Sequence, residues 1–462
     1  MATVALGTNA NPGGPTFTTN PEKYTTVAEL LEHNKPDNRD LLIKTYGDQG
    51  ITGFLQLTGA VKSGGTADHV QYWEEERRHK LQDVTTGGTD ASGVQTIVST
   101  NGIILNPSDV VMSKLSGEVF IVTATENGFV APSTAVASAN NAVVRRLDGS
   151  TSSTNITTSD ELIILGNMYD QGTDQPTGFF ETSPTLRTNP YMIVKDTYQV
   201  NGSQATNIGW VNVGNGDYRW YIHGEQETRA RFLDRREMMM LFGEKKTDAA
   251  TIATSNGSVA GSEGYFAAVA DRGIVVSNAS ANPLDTFTEF DNIILELDKQ
   301  GAPSEYAMYV NRTQDLAIDD MLAAGIATSV TAGLAGQFGA FNNDADMAVQ
   351  LGFKSFTRGG YTFHKHDWKL LNDPTLLGAS TKFQGAMVPL TQVTDARTGT
   401  KAPALELNYK EANGYSREME HWVTGGGVLG YKTDGTDVAK FHYRSEIALV
   451  TRAANQHVII KG

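Results

Sequence analysis

The sequence predicts an α+β fold, and three stretches carry that reading. Residues 94–166 hold five short alternating or apolar runs spaced about ten residues apart and broken by turn residues, the pattern of a small β domain. Residues 189–246 pass from an extended ribbon punctuated by Gly and Asn into a long charged helix. Residues 286–325 read helix, strand, helix, an order that suits segregated α and β layers.

The chain has 462 residues, enough for two or three domains, with 39% hydrophobic and 19% charged residues. Gly accounts for 47 positions, above the usual share of roughly 7%, which argues for many turns and short strands. With no Cys, disulfides and thiolate metal sites are excluded. The first residues, MATVALGTNANPGG, show neither the basic nor the apolar region of a signal peptide. No run of 18 apolar residues occurs, so no membrane partner is expected. A net charge of −15 argues against a surface that grips nucleic acid, because such affinity comes from Lys and Arg neutralising phosphates.

Residues 1–40 read as an extended arm, since Pro12, Pro15, Pro21 and Pro36 prevent long elements; a short helix is expected at Thr25–Asn34, and 41–60 mix two short apolar patches. Residues 70–84, VQYWEEERRHKLQDV, fit a charged helix or a strand equally well. In residues 94–166, turns are expected at Ser116–Gly117 and Asn127–Gly128. Thr286–Lys299 is a helix with Phe287, Phe290, Ile294 and Leu297 on one face. EYAMYVN (305–311) is a buried strand, TQDLAIDDMLAAG a helix capped by Thr313, and the small residues of 326–348 a loop.

The ribbon and its helix hold most of the information. NPYMIVKDTYQVNGSQATNIGWVNVGNG leads into DYRWYIHGEQETRARFLDRREMMMLFGEKK, with Asp217 as N-cap and Gly243 as C-terminal stop. Ile222, Ala230, Leu233 and Leu241 form a thin apolar stripe, and Met238–Phe242 should be anchored. Glu225 with Arg229 and Glu227 with Arg231 are i,i+4 pairs worth about 0.2–0.5 kcal/mol each. A helix charged over most of its circumference is solvated or meets charged partners, and an ordinary surface helix fits the same residues.

This order of segments resembles the major capsid proteins of tailed phages, with the Hong Kong 97-type fold, in which an extended E-loop precedes a long spine helix. The passages GGYTFHKHDWKLLNDPTLLG (359–378), VPLTQVTDARTGTKAPALELNYKEANGYSREMEHWVTGGG (388–427) and HYRSEIALVTRAANQHVII (442–460) are similar to later parts of that family. Within tailed phages the likeness leans towards the crAss-like group. The resemblance implies an amino-terminal arm (1–60), a peripheral-domain segment (61–93), a small β-barrel insertion (94–166), an E-loop (170–213), a spine helix with more peripheral domain (217–285), an axial domain (286–440) and closing strands (441–462). It implies a non-enzymatic subunit of the virion, made in the bacterial cytoplasm, that self-assembles into hexamers and pentamers of an icosahedral-type shell around double-stranded DNA. Partners would be copies of itself and portal, scaffold, decoration or head-fibre proteins, with no cofactor. Tyr191, Lys195 and Tyr198 of the loop and Glu225, Glu227, Arg229, Arg231, Arg235 and Arg236 of the helix would lie at subunit contacts. Deleting 196–207, read as the loop tip, should spare folding and block shells. An encapsulin cargo shell shares the pattern, although this chain is long for one. A β-rich phage tail or adhesion protein shares the Gly/Asn/Thr content but not the charged helix.

Enzymatic and metal motifs are weak. No phosphate-binding glycine loop, dinucleotide fingerprint, zincin motif or nucleophile elbow occurs. His364 and His366 flank Lys365 at strand spacing and could hold Zn²⁺ with Asp367, but Lys365 and the aromatic surroundings favour a structural role. Asn343–Asp346 lacks the Gly and distal Glu of a calcium loop. The pairs Arg145–Arg146, Arg235–Arg236 and Lys245–Lys246 are flanked by acids, as on solvated or intersubunit faces.

Overall fold

The structure is a computed structural model that describes residues 61–63, 65–87, 94–125, 140–150, 156–175, 184–206, 220–246, 251–255, 257–277, 283–331, 355–373, 382–390, 392–394, 401–430 and 432–462. The expected arm, the Thr25–Asn34 helix, the Asn127–Gly128 turn, Asp217 and Asn343–Asp346 lie outside the described residues. The fold is mixed α+β and rich in strands. The framework elements, in chain order, are β1 (Met192–Asn201), α1 (Trp220–Phe242), α2 (Phe287–Lys299), β2 (Glu305–Val310), α3 (Arg312–Thr331), β3 (Tyr361–Asp367), β4 (Leu405–Tyr409), β5 (Glu420–Gly425) and β6 (Val438–Thr451). The chain divides into two compact units: residues 1–49, 194–235 and 419–444, and residues 50–193, 236–418 and 445–462.

The second unit holds a six-stranded mixed sheet in the order 274–277, 458–461, 385–389, β2, β3, 355–358. β2 runs parallel to β3 and antiparallel to 385–389. Alternate residues of β2 serve different layers. Tyr306, Met308 and Val310 pack with Phe290, Ile293, Ile294 and Leu297 of α2 and Ile318 and Met321 of α3. Ala307 and Tyr309 pack on the other side with Tyr265, Phe266 and Trp368. A strand buried on both faces needs an unbroken apolar run, which is why EYAMYV does not alternate. Each such large side chain contributes about 1.5–3 kcal/mol when fully buried.

α2 starts where expected. The Glu289 carboxylate accepts from the backbone N–H of Thr286 (3.2 Å) and of Asp285 (2.9 Å), an N-terminal capping arrangement. α3 differs from expectation at both ends. Its cap is Asn311, whose Oδ1 accepts from the Gln314 N–H at 2.9 Å, so Thr313 lies inside the first turn. The helix then continues to Thr331, so 326–331, expected at the start of a loop, are helical, although Ile, Thr, Ser and Val are weak helix formers; 332–348 lie outside the described residues.

A seven-stranded sheet occupies residues 81–167, in the order 81–83, 161–167, 109–113, 119–125, 140–146, 94–99, 86–87. Its two end strands belong to one stretch of chain: Leu81–Asp83 pairs with 161–163, and Thr86–Gly87 pairs with 97–98. Val84 N–H reaches the Asp160 carbonyl and Thr85 N–H the Val98 carbonyl between them. Ile97, Leu105, Val111, Phe120, Val144 and Leu162 fill the interior. The Ser116–Gly117 turn is present, with Gly117 at φ +71°. The ambiguous 70–84 stretch is strand only at its ends: His69–Glu74 pairs with Thr185–Pro190, Leu81–Asp83 joins the larger sheet, and the charged residues 75–80 between them are neither helix nor strand.

Gly243 ends α1, but not in the left-handed conformation expected of a C-terminal glycine. A Cβ there would come within 2.5 Å of the Met239 carbonyl oxygen and 2.7 Å of the Ser262 carbonyl oxygen. The glycine is needed for close backbone approach: Gly264 N–H donates to the Gly243 carbonyl at 2.8 Å, satisfying the helix end. Met240 and Leu241 are buried there, as the apolar tail required, while Met239 is exposed.

Candidate subunit-contact surface

The first unit is built around the opening turns of α1, the strand residues 194–201 of β1, and the β5–β6 pair. β1 alternates: Val194, Asp196, Tyr198 and Val200 point inward, while Lys195, Thr197 and Gln199 are exposed. Val200, Phe232, Val428, Ala439, Phe441 and Tyr443 form the core, with Tyr198, Tyr221 and Val423 against it. The Tyr198 ring lies 6.2 Å from that of Phe441, and Phe232 lies 5.7 Å from Tyr443.

α1 spans 23 residues, about 34 Å at 1.5 Å per residue. Its inner face is not the stripe the spacing suggested. Thr228 and Phe232 are the buried positions in this unit, while Ile222, Ala230 and Leu233 are half-buried. Gly224 sits inside the helix, where glycine costs about 1 kcal/mol relative to Ala. A Cβ at Gly224 would fall 2.4 Å from the Tyr198 hydroxyl oxygen, so the residue lets β1 approach the helix.

Charged groups complete the inner surface. Asp196, with its side chain 12% exposed, receives Arg235 at 3.0 Å and Arg231 at 3.4 Å. Glu225 accepts from the Tyr443 hydroxyl at 2.7 Å, with His421 Nε2 at 4.0 Å and the His421 ring stacked 4.9 Å from that of Tyr443. Burial, followed by the Glu225 contact, raises the pKa of Tyr443. Burial also raises that of Tyr198. Arg231 and Glu225 thus engage partners outside the helix.

The nine residues singled out from the sequence fall into three groups. Tyr198 packs on the core of the first unit and Glu225 meets Tyr443 there, while Arg231 and Arg235, themselves about half exposed, reach in to Asp196. Lys195, Glu227 and Arg229 are exposed. Tyr191 and Arg236 belong to the second unit. The Tyr191 hydroxyl is buried, and burial with Glu446 and Glu406 pushes its pKa up to about 12. Burial lowers the pKa of Arg236, against the opposing pull of Glu418 at 3.8 Å and of Glu237.

Three further anchors carry no motif. Asp196 is signalled only as an acid at an inward position of an alternating strand. Phe232 is hidden in the charged run RARFLDRRE. Asn189 is buried in the second unit, donating to the carbonyls of Glu263 (2.9 Å) and Leu449 (2.8 Å) and accepting from Glu263 N–H (2.8 Å). It fastens the start of the ribbon. The segment 196–201 is a strand with Val200 in a core, and 202–206, expected as part of an extended loop tip, form a short helix whose Ala205 packs on the same core, so deleting 196–207 would remove packing and a helix.

The His364–Asp367 cluster is also placed. Lys365 is the inward residue of the three, and Asp367 is taken by Arg312 at 2.5 Å and Asn372 at 2.9 Å. His366 stacks 5.1 Å from Tyr309, and burial, then His364, lowers its pKa. Among the described residues, no group of three His, Asp or Glu side chains could hold a metal. Nor, among them, is any helix long and apolar enough to cross a membrane.

No family model and no curated protein matches the chain. Solved structures do. A chain in the structure of Microbacterium phage Oxtober96 aligns over 95% of this chain and 99% of its own length, at 10% identity and a TM-score of 0.39. The capsid of Myoviridae phage XM1 aligns over 91% of this chain and 95% of its own, at 10% identity and 0.39. The holo-SrpI encapsulin complex from Synechococcus elongatus aligns over 61% of this chain and 77% of its own, at 9% identity and 0.32.

Proposed function

We propose that this chain is the major capsid protein of a tailed double-stranded-DNA phage, with a Hong Kong 97-type fold. The observation that carries the reading is α1 with its strand. A helix of about 34 Å is held to β1 through Asp196 with Arg231 and Arg235, and it presents Glu227 and Arg229 as further exposed charge. In this reading α1 is the spine helix. The chain just before it supplies the E-loop, the six-stranded sheet with α2 and α3 is the axial domain, and residues 1–60 are the arm.

The seven-stranded sheet is the added β-barrel in this reading. What supports it is that the single stretch 81–87 pairs with 161–163 at one end of the sheet and with 97–98 at the other. The mechanism is interfacial: Lys195, Glu227 and Arg229 meet charges on neighbouring copies, and many small contacts multiplied by closed symmetry hold the shell. The shell encloses the genome without reading its sequence, in keeping with a net charge of −15. Portal, scaffold and decoration proteins are the other partners.

The test is to purify the full chain, alone and co-expressed with its neighbouring head proteins, and view it by negative-stain electron microscopy. Closed shells, tubes or hexameric rings are expected. A monomer in both preparations overturns the reading. A shell holding protein cargo instead of DNA, when recovered from infected cells, replaces it with the encapsulin alternative.

A further inference from the structure

Lys365 stands in the middle of β3 on the face that Tyr361 and Phe363 bury against the helices, and its side chain is only 5% exposed. Its Nζ lies 2.8 Å from Asp315 Oδ1 and 2.5 Å from Asp319 Oδ1, two acids one turn apart on α3. Arg312 donates to the other oxygen of Asp315 at 2.8 Å. Nothing in the assembly reading uses this cluster. Taking ions out of water costs several kcal/mol each, and mutual attraction returns that cost only in part. Condensing one ammonium with one carboxylate would remove two of these charges. The reacting groups are also held in contact, which makes the step unimolecular.

We propose that Lys365 and Asp319 become joined by an isopeptide bond that the chain forms on itself, with Asp315 carrying the protons. Asp319 is assigned as the electrophile and Asp315, which also accepts from Arg312, as the proton carrier. Starting from the ion pair, one proton passes from Lys365 Nζ through Asp315 to the Asp319 carboxylate, leaving an amine beside a carboxylic acid. Nζ attacks Cγ of Asp319. A second proton passes from nitrogen through Asp315 to the departing hydroxyl, which leaves as water. One N–C bond forms, one C–O bond breaks, Asp315 returns to its starting state, and no oxidant or reductant takes part. The bond ties β3 to α3 across 46 positions of sequence. It stands independently of the shell reading.

Tryptic peptides of the purified, denatured full chain, sequenced by tandem mass spectrometry, decide the matter. The expected result is a branched peptide joining the Asp319 and Lys365 segments, one water lighter than their sum. Asp319→Asn should give a branched peptide of the same mass, because ammonia leaves in place of water. Lys365→Met should give only linear peptides. Asp315→Ala should leave the two segments unlinked while circular dichroism shows a folded chain; persistence of the link there overturns the role of Asp315. Two linear peptides of unmodified mass from the wild-type chain overturn the proposal and leave a buried ionic cluster.

Discussion

The six-stranded sheet and the α1–β1 layer are built from different materials. The sheet sits between two apolar layers, and the aromatic groups Phe290, Phe356 and Phe363 meet there with ring centroids 5.3–5.9 Å apart. The α1–β1 layer has Phe232 as its one fully buried helical aromatic among the described residues and is completed by Asp196, Glu225 and their partners. Burial scales with apolar area, whereas half-exposed ion pairs are screened by salt. The sheet should therefore hold the fold, and the α1–β1 layer should hold a position.

The largest effect should come from the sheet. Phe290→Ala empties a site in contact with both Phe356 and Phe363 and should cost about 3–5 kcal/mol, read as a shift in the urea midpoint. A loss below 1 kcal/mol would show that the layers are not close-packed, and would break the contrast.

His457 offers a second probe of the same region. It is fully buried, with Nδ1 3.2 Å from the Tyr265 hydroxyl, and burial pushes its pKa from 6.5 down to about 3. The unfolded chain therefore takes up the proton first. Stability is unaffected by this group above pH 6.5 and falls as pH drops from 6.5 towards 3, by about 1.4 kcal/mol per pH unit. Between pH 6.5 and 5, above the usual carboxylate range, that slope should be steeper in the wild-type chain than in His457→Gln, where the lowered pKa of His366 and of His442 leaves a shallower fall.

In the α1–β1 layer the instructive change is Gly224→Ala. An exposed helix glycine gains about 1 kcal/mol on replacement by Ala. Here the new methyl would meet the Tyr198 hydroxyl at 2.4 Å and drive the ring from Phe441, so a net loss of about 1–3 kcal/mol is expected. A gain would mean that β1 is held loosely.

How far these differences could be read in the sequence follows from the kind of interaction. Strand β2, the helical face of α2 and the strands of 94–166 were legible because burial imposes a period or an unbroken apolar run. The α1–β1 layer was legible only as an order of segments. Asp196 and Gly224 act through a close approach between distant parts of the chain, and a linear pattern does not encode that. The inward turn of Lys365 was hidden for a related reason: the histidines beside it drew the chemistry to the wrong face of the strand. Asn311 displaced Thr313 as the cap of α3 because both are good capping residues two positions apart, and only the fold chooses between them.

The smallest expected folding effect is also the sharpest test of the positional role. Asp196→Ala frees Arg231 and Arg235, whose side chains are 54% and 49% exposed, and should cost about 1 kcal/mol or less, with the loss shrinking as salt is raised. Arg229→Ala, at an exposed position of the same helix, should leave the unfolding midpoint unchanged within about 0.5 kcal/mol. If α1 is a spine that meets neighbouring copies, Arg229→Ala should nonetheless reduce the yield of shells, while Asp196→Ala should broaden their diameters by loosening the strand against the helix. Normal shells from both variants would mean that the exposed charge of α1 is merely solvated, and the contacts that build the shell would then have to come from other surfaces.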